Sequence, residues 1–415
     1  MMGKFFSDDV ETALQYIYYD NRLRLHRGQE GFDLLVKASE AGDGDADCVL
    51  ARCLSGYQYV WPGHHFPVDD KKVTNLIHRS IERGSALGIL VAKRSGLFTP
   101  VWQKKAPISL KEAFKQVLDK AAGGDAFCQY TIGNTYFWWD FLSVEEKSRN
   151  DFPSQEAFRS YMIENITKCE DWFWRAFKGG MYLAGNNLEH YYRNGDKGYV
   201  DPQPEKAAQI FPMGAEMGYP PHQIFYANDL EKAGEKEKAH YWRVQAAEGG
   251  QPGLWYAIGI DFYDGKGVEK DPQKACACFK RSIEEEHNAY AYDMMGVCLF
   301  LGIGISQDRA KAFEYFSTGR QLLEGNTFGY QFLAHCYLDG LGTAQDYQEA
   351  YRLAWETKDK PRSLYVLGRI YCEGLGMPQD IAMGVEFLDR SGIADAKEER
   401  KHYKKSLFGR WKRVN

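Results

Sequence analysis

Tyr256-Ala257-Ile258-Gly259, then Phe262, Gly265-Lys266-Gly267-Val268, Asp271-Pro272 and Lys274-Ala275, is the stretch whose reading decides the fold. Ile258, Gly259 and Phe262 put a large apolar residue, a small one and another apolar residue on one helical face, because positions three and four apart are neighbours on a helix. The small residue lets a second helix approach closely. Gly265 can end the helix in a left-handed conformation at no side-chain cost. Asp271 then caps the next helix by accepting its first backbone N–H groups, and Pro272 sits where a helical N–H would be unpaired anyway. Ala275, Cys278, Phe279 and Ile283 follow at helical spacing. The unit is therefore helix A, glycine turn, helix B.

The same unit recurs. The pairs Gly265/Gly267, Gly302/Gly304, Gly340/Gly342 and Gly374/Gly376 have first glycines 37, 38 and 34 residues apart. Each follows the same apolar frame: Met295-Gly296 with Leu299, Leu333-Ala334 with Tyr337, Leu367-Gly368 with Tyr371. Each precedes a capping aspartate, Asp308, Asp346 and Asp380 after Asp271. A fixed period of this length is the signature of a stacked repeat protein.

Degenerate copies extend upstream. Leu188 with Tyr192, Gly195 and Asp201-Pro202 keeps the order with a longer turn, and Ile132-Gly133 with Tyr136 follows Gly123-Gly124-Asp125. Leu50-Ala51 with Leu54 follows Gly42-Asp43, and a further unit is implied between Phe225 and Glu248. Residues 137–160 break the rhythm and read as an insertion, an extended segment leading into a helix that starts near Ser154. The expected organisation is degenerate α/α repeats over 1–120, divergent repeats with the insertion over 121–248, regular repeats over 249–392, and a C-terminal capping helix or tail over 393–415.

This pattern resembles the Sel-one-like repeat family, α/α repeats related to tetratricopeptide repeats. The best-matching stretch runs from Gly249 to Gly392 and weaker matches reach back toward residue 37. The resemblance implies an all-α fold, an α/α solenoid or superhelix of tandem repeats. Family members look like adaptors, regulators and recognition proteins, in bacteria and in eukaryotic protein quality control. Many bacterial members are exported. Ala334, Thr343 and Gly384 depart from the family's usual residues at their positions.

Composition agrees with a packed repeat protein. Of 415 residues, 44% are apolar and 26% charged, enough to build a continuous core. The net charge of −5 offers no basic field for a phosphate backbone, so no nucleic-acid partner is expected. No run of about 18 apolar residues occurs, so no membrane partner is expected either. The first residues carry no hydrophobic signal region and Asp8-Asp9 follow at once, which points to the cytoplasm. Nine cysteines at helical positions suit reduced thiols there.

No catalytic, cofactor or metal constellation emerges. The G-x-G pairs lack the third glycine of a dinucleotide fingerprint and the Gly-Lys-Ser/Thr of a phosphate loop. There is no G-x-S-x-G elbow and no H-E-x-x-H. His64-His65 reads as a loop and Cys276-x-Cys278 diverges on a helix. The aromatic cluster Phe137, Trp138, Trp139, Phe141, Trp172, Phe173, Trp174 and Phe177 reads as core or as an exposed anchor for a partner.

The function expected is that of a protein-interaction scaffold, adaptor or regulator, not an enzyme, using a protein or peptide partner and no cofactor. A bacterial immunity protein that occludes a toxin is the alternative, and an enzyme built on the insertion a second one. In a solenoid the A helices usually line the concave side. Residues two before and two after each core position lie about 200° around the helix, opposite the packed face. This selects Tyr256 and Ile260, Asp293 and Val297, Gln331 and His335, Tyr365 and Arg369, and upstream Tyr130 and Asn134, then Asn186 and His190. The tail 397–415, with Lys404, Lys405, Arg410 and Trp411, is expected to be a terminal helix capping the last repeat.

Overall fold

The computed structural model describes residues 5–19, 27–56, 66–196, 198–325, 327–406 and 409–414. His64-His65 lies outside them. The chain divides into two compact units, Met1–Gly234 with Tyr241–Gln251, and Glu235–His240 with Pro252–Asn415. Both are stacks of antiparallel helix pairs.

In the first unit the A helices are α1 (Asp8–Leu14, continued by a π-turn, Gln15–Tyr19), α3 (Gly44–Cys53), α5 (Ala86–Arg94), α8 (Ala126–Phe137), α12 (Tyr182–Asn194) and α14 (Pro220–Lys232). Their B partners are α2 (Gly28–Glu40), α4 (Asp70–Glu82), α7 (Leu110–Ala122), α11 (Lys168–Lys178), α13 (Pro204–Glu216) and α15 (Lys236–Glu248), whose first residues belong to the second unit. The short α6 (Pro100–Lys105) and α9 (Phe141–Val144), and α10 (Gln155–Ile166), fill the longer connections. Ser154 caps α10 by accepting from the Ala157 amide at 3.0 Å, as its sequence position predicts. The stretch before it is not simply extended, because α9 and a 3-10 turn at Arg149–Asp151 fold it back.

In the second unit the pairs are α16 (Trp255–Asp264) with α17 (Pro272–Glu286), α18 (Ala289–Leu301) with α19 (Arg309–Leu322), α20 (Tyr330–Asp339) with α21 (Tyr347–Glu356), and α22 (Pro361–Glu373) with α23 (Ile381–Ser391). The expected joints are all present. Gly265, Gly302, Gly340 and Gly374 are left-handed at φ of 76°, 72°, 71° and 73°. Asp271, Asp308 and Asp380 accept from the third residue of the next helix at 2.9–3.0 Å, and Asp346 accepts from Gln348 and Glu349. The frame's small residue meets its own repeat's B helix: a Cβ at Gly259 would sit 2.5 Å from the Phe279 ring, and one at Gly296 2.7 Å from that of Phe316.

The second glycine of each pair does different work, which its spacing alone does not reveal. Gly267, Gly304 and Gly342 lie against the preceding B helix, where a side chain would collide with the main-chain carbonyls of Lys236, Pro272 and Ala310. Between the glycine pair and the aspartate, Gln307, Gln345 and Gln379 donate to the carbonyls of Phe300, Leu338 and Cys372, satisfying open C-terminal groups of helix A.

The tail departs from expectation. After α24 (Ala394–Arg400) it forms a two-stranded antiparallel hairpin, β1 (Tyr403–Lys405) with β2 (Trp411–Arg413), instead of continuing as a helix. Gly409 at φ 79° and the Ser406 amide donating to the Arg410 carbonyl at 2.7 Å close the turn. Tyr403 is buried, and the Arg400 guanidinium lies 4.8 Å from the Trp411 ring.

Buried charges are paired where the helices of a repeat meet. Asp47, fully buried on α3, accepts from Ser39 of α2 at 2.7 Å, from Arg79 of α4 at 3.0 Å and from Arg83 just after α4 at 2.6 Å. All nine cysteines are free thiols and buried. Burial raises the thiols of Cys53, Cys336 and Cys372 to about 12 and that of Cys278 to about 11.

Because a leucine at Gly259 or Gly296 must displace a buried phenylalanine, Gly259→Leu and Gly296→Leu are each expected to cost about 1–3 kcal/mol by overpacking. Urea denaturation of the two variants checks this, and unchanged midpoints would contradict the packing described.

Candidate functional site

A helices of the first unit, with the B helix α4 on one side, line an open groove of about 650 Å³. α3 supplies Arg52, α5 Leu90 and Arg94, α8 Tyr130 and Asn134, and α12 Asn186 and Asn187. Trp138 and Asp140 from the start of the insertion also line it. Three residues selected from the frame, Tyr130, Asn134 and Asn186, therefore meet in one place. His190, the fourth from these two helices, lies on exposed surface against Phe137 and does not line the groove.

Helical geometry explains the convergence. A residue two positions from the core residue points away from the B helix of its repeat, so the A helices present these positions on a common side. Arg52 follows the same rule, two residues after Leu50, and extending the frame to that degenerate repeat would have found it. Its guanidinium lies 5.3 Å from the Phe127 ring centroid and 5.8 Å from that of Tyr130. Arg94 carries no comparable signal in the sequence, since its helix deviates from the regular frame.

The aromatic cluster splits between its two readings. Phe137, Phe141, Phe173 and Phe177 are core, whereas Trp138 and Trp139 are 46% and 37% exposed. Trp139 has a φ of 64°, an unusual conformation for a bulky residue, and its indole N–H donates to Asp196 at 2.8 Å. That turn carries the chain out of α8 and leaves Trp138 at the groove with the Arg94 guanidinium 4.2 Å from its ring.

The groove's amides are held in place. Asn187 donates to the Asn134 side-chain oxygen at 2.8 Å, and Nε2 of His222 on α14 lies 2.9 Å from the Asn186 side-chain oxygen. His222 is fully buried in a slot made by Gly185 and Gly214, where any Cβ would strike its ring. Its Nδ1 has no hydrogen-bond partner among the described residues. The neutral tautomer with its proton on Nε2 uses the donor and leaves only an acceptor unpaired. Burial pushes this imidazole down to about 3.

The ridge in the second unit needs correction. Tyr256, Ile260, Gln331 and Arg369 are half-buried, but Asp293, Val297, His335 and Tyr365 are buried. The reason is that side chains of neighbouring repeats reach these positions too: Phe300 of α18 packs on Phe332 and His335 of α20, and the His335 ring on Tyr365 of α22. The side opposite the packed face is thus itself partly covered. Asp293 is wedged where a Cβ at Gly319 or Gly329 would come within 2.8 Å of its carboxylate. His335 donates to Asp339 at 2.9 Å and accepts from Arg362 at 3.0 Å. Arg369 donates to Asp339 at 2.6 Å and to Glu373 at 2.9 Å. These two residues hold the stack together and are not interchangeable surface positions.

Among the described residues no group of His, Cys, Asp and Glu is arranged to hold a metal ion, and no helix is long and apolar enough to cross a membrane.

Comparison with known proteins places the repeats. The Sel1 repeat family matches residues 179–219, 256–287, 289–319, 328–354 and 361–392. Among solved structures, a Sel1 repeat protein from Oxalobacter formigenes is similar at 20% identity, covering 79% of this chain and 89% of that chain, with a TM-score of 0.42. The c5321 protein, a protective antigen present in uropathogenic Escherichia coli strains and displaying an SLR fold, is similar at 19% identity, covering 89% of each chain, with a TM-score of 0.39.

Two measurements test these assignments. Arg369→Glu places a third carboxylate beside Asp339 and Glu373 and is expected to cost on the order of 3 kcal/mol, read as a lowered denaturation midpoint. For His222, the unfolded chain titrates near 6.5 and the fold only near 3. Between those values the unfolded chain holds a proton that the folded chain rejects, so stability falls as pH drops from 6.5 toward 3, by about 1.4 kcal/mol per pH unit from this residue. His222→Gln is expected to flatten that acid limb in denaturation curves recorded from pH 7 to pH 4. Five segments between residues 179 and 392 are Sel1 repeats, and they lie in an all-α stack of helical repeats.

Proposed function

We propose that this chain works by binding a protein partner in the A-helix groove of its first unit, as an adaptor or regulator, and not by catalysing a reaction. Sel1 repeats generally act in protein–protein interaction, which sets the class of function. The observation that carries the proposal is the meeting of Arg52, Tyr130, Asn134, Trp138 and Asn186 in one open groove. Arginine, tyrosine and tryptophan are the side chains most often found at binding hot spots, since they bring large contact area and fixed hydrogen-bond geometry. The NH2 groups of the Asn134 and Asn186 carboxamides can donate to the carbonyls of a peptide main chain.

The half-buried residues of the second unit, Tyr256, Ile260, Gln331 and Arg369, remain a supplementary contact strip on the A-helix side. They are secondary because their packing and ion pairs already occupy them.

The test is affinity capture from the native host, followed by mass spectrometry, with wild type and the double variant Asn134→Ala/Trp138→Ala. Trp138 is substantially exposed and Asn134 half-buried, so the variant is expected to keep its thermal midpoint within the range typical of surface changes, about 0.5 kcal/mol each. A partner recovered by the wild type is expected to be lost with the variant. Undiminished recovery would remove the groove from the account of function.

A further inference from the structure

The hydrogen bonds inside the groove leave a biased inventory of polar atoms. His222 occupies the Asn186 side-chain oxygen, so the Asn186 amide N–H groups are what that residue can offer a ligand. Asn187 occupies the Asn134 side-chain oxygen, which leaves the Asn134 amide N–H groups to the groove. Each of these oxygens already accepts one hydrogen bond, whereas the two NH2 groups remain, with the Asn187 oxygen the acceptor left among the three carboxamides. Arg52 and Arg94 are donors only. Among the described residues Arg94 has no carboxylate within ion-pairing distance, and its guanidinium rests on the Trp138 ring. A guanidinium stacked on an aromatic face keeps its N–H edge available for a planar anion, which it holds bidentately.

Two carboxylates also line the groove. Asp70 lies in the exposed first turn of α4, where water screens it. The carboxyl of Asp140 is raised by burial, with Arg94 and Lys93 opposing the shift. Neither cancels Arg52, whose Nε and Nη2 are buried and whose field therefore acts through a poorly screened medium. The apolar wall, including Val73, Ile77, Leu90 and Leu183, accommodates side chains between these polar points.

We propose that the groove is a binding site for an extended acidic peptide segment, with Arg94 receiving a carboxylate, the Arg52 charge favouring acidic residues nearby, and the Asn134 and Asn186 amides meeting its main-chain carbonyls. This rests on the groove being the binding site, as proposed above, and adds the chemical class of its occupant. His222 acts as a positioning residue, because it fixes which end of the Asn186 carboxamide faces the groove.

The experiment uses the full chain on an array of random-sequence peptides graded from strongly acidic to strongly basic, with affinities of the best binders measured by fluorescence anisotropy. Peptides rich in Asp and Glu are expected to bind at least about tenfold more tightly than neutral ones, a difference of about 1.4 kcal/mol. Basic peptides are expected not to bind. Arg94→Glu is expected to weaken the acidic binders by about tenfold or more, and Arg94→Gln and Asn186→Ala by less. Binding is also expected to weaken as salt rises. Thermal midpoints measured alongside establish that each variant is folded. Neutral or basic peptides binding as tightly as acidic ones, with Arg94→Glu and Asn134→Ala/Trp138→Ala still reducing the signal, would overturn the acidic class and keep the groove. Peptide binding that none of these variants alters, or no peptide binding at all, would overturn both.

Discussion

Gly267, Gly304 and Gly342 stand where the turn of one repeat meets the first turn of the preceding B helix, and no Cβ fits between them and the main-chain carbonyls there. Main chain against main chain is the closest approach two elements can make, and it sets how far apart successive repeats lie. The other joints are arranged around that contact. The left-handed first glycine aims the turn, the aspartate restarts the helix six residues later, and the glutamine between them closes the open carbonyl behind it. Within each repeat, Gly259 or Gly296 then admits the phenylalanine of the B helix, fixing the A–B distance independently.

A stack built at such close range has little room for polar atoms that lack a purpose. Asp47 is tied to Ser39, Arg79 and Arg83, and His335 to Asp339 and Arg362. In these clusters the charges are spent on holding helices to one another. The groove of the first unit is different in kind. Asn134 and Asn186 are anchored through their oxygens, and Arg94 is braced by an aromatic ring instead of a carboxylate. Pairing between residues satisfies structure, whereas pairing that leaves one chemical type of atom facing the opening is what recognition requires.

The fold could be read from Gly265, Asp271 and their later copies because left-handed turns and helix caps each demand particular residue types at particular positions. Those demands are local, so one chain displays them. The contact ridge could not be read with the same accuracy. Periodicity places Asp293, Val297 and His335 opposite one packing partner, but it carries no information about the A helices that flank them. Tyr130, Asn134 and Asn186 were legible because the groove opens where the frame points. Arg52 obeys the frame in a repeat too degenerate to have been used. The Trp138–Arg94 contact joins an insertion to a distant helix and leaves no periodic trace. The terminal hairpin is not legible in the sequence because charged and apolar residues of the tail fit either period over so short a run.

The nine free thiols have a consequence for how this molecule can be observed. Four of them, Cys48, Cys53, Cys128 and Cys169, lie in the first unit, and Cys276, Cys278, Cys298, Cys336 and Cys372 lie in the second. A thiol reagent reacts with the thiolate at a site it can reach, and burial withholds both conditions. Alkylation in the folded protein must therefore wait for local opening, so each cysteine becomes a natural clock for the repeat that encloses it. Reaction times read residue by residue would chart which repeats breathe independently and which open only together, without a single label being engineered into the chain.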